Sequence, residues 1–311
     1  MRIVFMGTPQ FSVNILEGLL SLNHEIVLVV TQPDKLVGRK QVVEYSPVKK
    51  CALEHNLNVF QPIKIKDDYK AVLDSKPDII ITAAFGQFIP KIVLDAPKYG
   101  CINVHGSLLP KYRGGSPIQT SIINGEKETG ITVMYMASKM DAGDIIVQKA
   151  IPILPEDDNG SMFDKLSVVG RDLLIEVLPS IFDGTNPSIP QDETKVTYAY
   201  NITHEQQFVN WNDKTENIVN LVRGLSPAPT ALTSINGTII KIFKAKKYSD
   251  EILGKPGEII KLNKELLVCS SDGVVSILEL QQAGKNKMDV KSFLNGQKIL
   301  SIGTVLENNI I

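Results

Sequence analysis

Apolar runs and helical patterns alternate along the first half of the chain. Ile3 to Met6 is a short continuous apolar run, Gly7-Thr8-Pro9 makes a turn, and Phe11, Ile15, Leu16, Leu19 and Leu20 then recur at helical spacing. Glu25 to Thr31 is a second apolar strand, which completes a β-α-β unit and opens a Rossmann-like, mainly parallel sheet. Ser46-Pro47 supplies an N-cap and first helical residue. Val59 to Pro62 reads as a short strand and Asp67 to Ser75 as a helix. Pro77 to Ala84 is continuous and β-branched, as strands covered on both faces are. Cys101 to His105 is the next strand, followed by a loop rich in Gly and Pro. A helical run (Pro117 to Asn124), a β-branched strand (Thr129 to Tyr135) and a further strand (Asp144 to Ile151) come after it. Ser161 to Ile181 is helical, with Phe163, Leu166, Val169, Leu173, Leu174 and Val177 on one broad face.

The pattern then changes. Gly184 to Thr194 carries two prolines, a glycine and polar residues, and reads as the start of a linker. Beyond one short helix, Thr215 to Arg223, expected to stop at Gly224 and Pro227, the chain is a series of short strands: 231–235, 238–245, 257–262, 266–270 and 274–280. Asn236-Gly237 between two of them signals a type I′ hairpin. Repeated short strands of this kind suggest a small β-barrel. The division expected is therefore 1–187 for an α/β domain, 188–207 for a linker and 208–311 for the barrel.

With 311 residues, 43% hydrophobic and 22% charged, the chain has ordinary globular composition and room for two domains. The formal net charge of −1 excludes a strong global field for nucleic acid. The charge is uneven, however. Residues 208–311 hold 13 Lys/Arg against 10 Asp/Glu, a net +3, and the rest of the chain is −4, the sign expected if the tail faces RNA. Cys51, Cys101 and Cys269 are far apart with no CxxC or Cys/His cluster, so neither a disulfide framework nor a metal site is expected. No run is long enough for a membrane span, and Met1-Arg2 leads straight into a strand with no targeting segment, so a cytoplasmic location is expected. The first turn lacks G-x-G-x-x-G, which argues against a dinucleotide enzyme.

The candidate chemistry lies at 100–146. Strand alternation puts Asn103 and His105 on one face at the end of a buried strand, and Asp141 arrives on a later loop. Ligands of open α/β sheets sit at such strand ends. Each residue alone has an ordinary structural role open to it, as turn, core or cap. In order they do not stand alone: Asn103-Val104-His105, then Ser107-Leu108-Leu109-Pro110, then Lys111-Tyr112-Arg113-Gly114 and Asp141. This series resembles the catalytic pattern of the folate-dependent formyltransferases.

The resemblance implies a Rossmann-like formyltransferase domain followed by an OB-fold-like barrel that binds tRNA. It implies 10-formyltetrahydrofolate as co-substrate and the α-amine of methionyl initiator tRNA as acceptor, in a monomer without a metal. Asn103 and His105 would be donors toward the formyl oxygen, and Asp141 the orienter and proton relay, directly or through water. Ser107, Leu108, Leu109 and Pro110, with Gly86, Gln87, Phe88 and Ile89, would contact the folate. Gly7-Thr8-Pro9 and Phe11 would lie near the aminoacyl end. The loop after Gln32-Pro33-Asp34 carries Lys35, Arg39 and Lys40, and these would meet RNA, as would Arg223, Lys244 and Lys246 in the tail. Trp211, Pro227, Pro229 and the run from Leu280 to Lys285 resemble the family's tail domain, whereas Asn201 and Asn210 depart from it. Arg113 is left between the folate tail and an RNA phosphate, and Asp144 between a cap and an ordered water. The competing readings are a formyltransferase for a small amine or nucleotide sugar, a formyl-folate hydrolase, and a non-catalytic RNA-binding protein that kept a degenerate fold, against which the intact Asn103, His105 and Asp141 set argues. The loop assignment predicts that Arg39→Ala weakens use of tRNA and spares folate binding. A tRNA titration beside a folate titration checks it, and lost folate binding counts against the assignment.

Overall fold

The continuous apolar runs become the middle of a sheet. The computed structural model describes residues 1–38 and 41–308 and divides into two units, 1–117, 128–152 and 163–200 in the first, 118–127, 153–162 and 201–311 in the second. In chain order it contains β1 (Arg2–Gly7), α1 (Gln10–Leu20), β2 (Glu25–Val30), β3 (Lys35–Val37), β4 (Val42–Glu44), α2 (Pro47–Glu54) and β5 (Val59–Phe60). Then come α3 (Lys70–Asp74), β6 (Ile79–Ala83), α4 (Lys91–Leu94), β7 (Cys101–His105), α5 (Pro117–Ile123), β8 (Glu128–Tyr135), β9 (Ile145–Pro152) and α6 (Asn159–Asp183).

Seven strands form one sheet in the order β5-β2-β1-β6-β7-β8-β9. The first five pair in parallel, and β8 and β9 add antiparallel at one side. The crossover order places β1 and β6 inside the sheet, where Ile3 to Met6 and Ile79 to Ile81 have no exposed surface. A strand covered on both faces needs no polar alternation, which is why these runs are unbroken. β7 is the seam between the parallel and antiparallel parts. Asn103 lies opposite Thr82 of β6 on one side and Met134 of β8 on the other.

The second unit contains α7 (Thr215–Leu225), β10 (Ala231–Ile235), β11 (Thr238–Ser249), β12 (Ile259–Lys261), β13 (Leu266–Cys269), β14 (Val274–Gln282), β15 (Met288–Asp289) and α8 (Val290–Gly296). Its strands run antiparallel in the order β10-β11-β14-β13-β12, with β15 against β14. The C-terminal segment links the two open edges, since Ser234 of β10 bridges Glu307 and Glu258, just before β12, bridges Val305. That link turns the sheet into a small barrel and satisfies edges that would otherwise stay open. Trp211 fills the barrel core with no exposed surface, and its indole N–H donates to Thr233 Oγ1 at 3.0 Å.

Three local readings change. The helix expected over 67–75 shortens to α3, because Ile65 is buried completely and its N–H is held by Gln87 Oε1 at 2.7 Å, which bends 65–67 into a turn. The loop after Gln32 contains a two-stranded hairpin, with Lys35 opposite Glu44. α7 runs through Gly224 rather than ending at it. A Cβ there would come within 2.5 Å of Ile123 Cγ1 and 3.0 Å of the Gln119 carbonyl, so the glycine permits close packing on 118–123. The Asn236-Gly237 turn has φ of 48° and 71°, the left-handed pair that a type I′ hairpin requires. Among the described residues no helix is long and apolar enough to cross a membrane, and no group of three His, Cys, Asp or Glu is placed to hold a metal.

Candidate active site

Strand alternation sets the site. Asn103 and His105, two residues apart on β7, face the same way and are about 7 Å apart along the strand. The Thr82 hydroxyl donates to Asn103 Oδ1 at 2.8 Å. With its carbonyl occupied, the Asn103 amide presents its NH2, which makes no hydrogen bond among the described residues. His105 is buried, and its Nε2 lies 3.0 Å from the Tyr112 carbonyl. A carbonyl only accepts, so the proton sits on Nε2 and Nδ1 is directed to Asp141 Oδ2, 3.8 Å away. That distance is an electrostatic contact rather than a hydrogen bond. The three sequence-assigned catalytic residues therefore come together at one strand end. Thr82 was not legible as a partner, since it reads only as one more β-branched residue of a buried strand.

Asp141 is held by its surroundings. Its backbone is left-handed, with φ of 47°, a conformation aspartate tolerates better than most residues. Its Oδ2 accepts from the Gly114 N–H at 2.8 Å. Gln191 grips the same loop, donating from Nε2 to the Asp141 and Gly143 carbonyls, both at 2.8 Å. The other end of Gln191 accepts from Arg113 Nε at 3.1 Å and Nη2 at 2.8 Å. Arg113 has no exposed surface, and its Nη2 also meets Glu193 Oε1 at 2.7 Å. Sequence left Arg113 to the folate tail or an RNA phosphate; the structure corrects this, because the guanidinium is buried beneath the Asp141 loop. Asp144 accepts from Ser188 Oγ at 2.7 Å. Gln191 and Glu193 fall in the stretch read as linker, where no local signal marks them. Glu193 is held well down, to about 2 from an ordinary 4.5, by Arg113 first and then by Lys139.

A pocket of about 110 Å³ opens beside Asp141. Gln87, Phe88 and Ile89 line it from the loop after β6. Met134, Met136, Met140 and Asp141 line it from β8 and the loop that follows. Phe88 is 64% exposed, so an apolar face stands open at the mouth. A flat heteroaromatic ring suits methionine and phenylalanine walls with an amide at one edge. Gly86, at φ of 83°, makes the turn that starts this wall. Ser107 and Leu109 are turned inward instead. Ser107 Oγ donates to the Lys111 carbonyl at 2.7 Å, and Leu109 packs with Met134 and Ile145. Leu108 and Pro110 are half-buried, so they and the backbone are what this segment can offer a ligand.

The basic residues divide. Arg39 and Lys40 lie outside the described residues. Lys35 is exposed on β3. Arg223 is committed to the fold: its Nε donates to the Asp157 carbonyl and its Nη2 to the Leu154 carbonyl, both at 2.7 Å, while Nη1 reaches Asn220 Oδ1. These bonds give it a structural role. Lys244 and Lys246 are exposed on β11 beside Lys241. A register shift between Ile242 and Lys244 sets the three on one side, where strict alternation would have separated Lys241 from the others.

The first unit ends one strand of its α/β sheet on an amide and an imidazole beside a carboxylate, and the second is an antiparallel barrel. Residues 1–178 match the formyl transferase family and residues 201–298 the formyl transferase C-terminal domain. A methionyl-tRNA formyltransferase from Enterococcus faecalis is 51% identical over 299 residues, covering 95% of this chain and 96% of its own. One from Staphylococcus aureus is 48% identical over 309 residues, covering 98% and 99%. The chain belongs to the formyl transferase family, among the methionyl-tRNA formyltransferases. Solved structures share the fold at lower identity. An N-formyltransferase from Helicobacter canadensis, in complex with folinic acid and dTDP-3-aminofucose, superposes with a TM-score of 0.68 at 22% identity, over 90% of this chain and 98% of its own. HypX from Aquifex aeolicus, in complex with tetrahydrofolic acid, gives 0.68 at 20%, over 98% of this chain and 50% of its own.

Two predictions arise here. Thr82→Val removes the bond that orients the Asn103 amide and should lower kcat about tenfold, less than outright loss of such a donor. Thr82→Ser should recover most of it; steady-state assays of both variants decide. Glu193 contributes stability that is complete above its unfolded pKa near 4.5 and is lost as pH falls toward 2. Glu193→Gln should therefore melt slightly below wild type at neutral pH, by a small margin because the carboxylate is largely exposed. In melts followed from pH 4.5 down to 2, the gap should close.

Proposed function

We propose that this enzyme transfers the formyl group of 10-formyltetrahydrofolate to the α-amine of methionyl initiator tRNA, giving the N-formylmethionyl-tRNA that starts translation. The observation that carries the reading is the meeting of Asn103, His105 and Asp141 beside an apolar pocket. Its acceptor rests on the relatives of about half identity along nearly the whole chain. The reading includes action in the cytoplasm as a monomer, and three free, buried cysteines suit a reducing compartment.

When bound, the folate supplies an electrophilic formyl carbon on N10. The acceptor needs no enzyme nucleophile, since a free α-amine has a pKa of about 8 and an esterified one lies lower. As the amine nitrogen bonds to the formyl carbon, negative charge gathers on the formyl oxygen. The Asn103 NH2 is the donor for that charge, and His105 is the second polar group on the same face. A donor so placed is worth about 3–4 kcal/mol. Asp141, with His105, takes the proton the amine loses, and the same pair returns a proton to N10 as the C–N10 bond breaks.

The test is transfer of labelled formyl from 10-formyltetrahydrofolate to methionyl initiator tRNA, with methionyl elongator tRNA and small amines, including an amino-sugar nucleotide, alongside. Selective labelling of the initiator species is expected. Labelling of a small amine, or release of formate alone, overturns the acceptor assignment. Asn103→Ala and His105→Ala should each lower kcat by about 10²–10³ and still bind tRNA. Unchanged turnover in either removes that residue from the mechanism.

A further inference from the structure

Tyr198 and Tyr200 form a parallel, stacked aromatic pair on the surface of the first unit. Their ring centroids are 5.5 Å apart and the planes differ by 2°. They are 44% and 66% exposed, whereas Ala199 between them is buried. Extended alternation explains the arrangement: Ala199 faces inward and its two neighbours face out on the same side. The backbone beneath is fastened along its length. Tyr112 N–H donates to Thr197 Oγ1 and Arg113 N–H to the Thr197 carbonyl, both at 2.9 Å. Ala199 N–H donates to the Arg113 carbonyl at 2.8 Å, and Ser116 N–H to the Ala199 carbonyl at 3.0 Å. Gly114 permits this approach, since a Cβ there would lie 2.5 Å from the Ala199 carbonyl oxygen. The rings therefore stand on a rigid base. The opposite edge of that base is the active site, where the Tyr112 carbonyl holds His105 and Gly114 N–H holds Asp141. The single backbone segment Tyr112 to Ser116 thus lies between the tyrosine backbone and the His105 and Asp141 side chains.

We propose that Tyr198 and Tyr200 are a stacking platform for an unpaired base at the acceptor end of the aminoacyl-tRNA. The inference rests on the acceptor named above. The reacting amine is esterified to the last nucleotide of a single-stranded end, so the surface beside the catalytic residues meets unpaired bases. Parallel rings that are exposed offer an outer π-face on which a base can extend the stack, the feature that single-strand binders use, and stacking tolerates any base. Pre-ordering of the rings lowers what binding must spend on fixing them.

The test uses the full chain, methionyl initiator tRNA, and the same tRNA made with an abasic nucleotide at single unpaired acceptor positions. The Tyr198→Leu/Tyr200→Leu double variant keeps apolar bulk and loses the ring faces. Its kcat/KM for tRNA should fall about tenfold, with the folate KM unchanged, and Tyr→Phe at both positions should recover most of the loss. At one position the abasic tRNA should cost wild type a similar factor and the double Leu variant little more. The platform is overturned if wild type formylates the tRNA and the Leu variant matches it. Equal further losses of the Leu variant on every abasic tRNA also overturn it. Failure of wild type to formylate methionyl-tRNA at all sinks the acceptor assignment, and the platform with it.

Discussion

A guanidinium with no exposed surface is the constraint on which the site depends. Leaving a buried charge unpaired is costly, so Arg113 must be met by acceptors wherever the chain can bring them. Gln191 and Glu193 meet it from one side, and Gln191 uses its remaining amide protons on the Asp141 loop. The position of the Asp141 carboxylate is thus tied to satisfaction of a buried cation some thirty residues before it and an amide fifty residues after it. The pair is lopsided, since Glu193 is more than half exposed while Arg113 is sealed. The inner part of the network therefore does most of the positioning.

The same segment, 189–199, serves the site along its whole length. Ile189 bridges Ile145 beyond the Asp141 loop, Gln191 clamps that loop, and Thr197 to Ala199 lie beside Tyr112 to Ser116. Composition marks these residues as a connection, with prolines and polar side chains and no apolar period. Their order comes from backbone hydrogen bonds to a distant loop, which leave almost no trace in residue type. The division of the chain by contacts shows the same limit, since residues 163–200 belong to the first unit.

Side-chain commitments separate cations that look alike in a sequence. Arg113, Arg223, Lys244 and Lys246 are all basic residues in polar surroundings. Arg113, through Nε and Nη2, and Arg223 donate inside the protein, to carbonyl, amide and carboxylate oxygens. Lys244 and Lys246 point to solvent because a bulge resets the strand alternation. Arginine suits the first duty, since its planar fork can satisfy several acceptors at once, and a lysine on a barrel strand suits the second.

What the sequence by itself determined is what local periodicity and residue order can carry. The unbroken runs at 3–6 and 79–83 specify interior parallel strands, Asn236-Gly237 specifies its turn, and the spacing of Asn103 and His105 puts both on one face. The ordered series from Asn103 to Asp141 points to formyl transfer. What only the tertiary structure decided is which polar groups satisfy one another. Thr82 against Asn103, Gly114 against Asp141, and Gln191 between Arg113 and the catalytic loop join residues up to about eighty positions apart. A hydrogen bond is selected by three-dimensional distance and angle, and a threonine or glutamine carries no mark of its partner along the chain. The fold was therefore largely legible and the three residues proposed for catalysis were nameable, whereas the groups that hold them in place had to be seen.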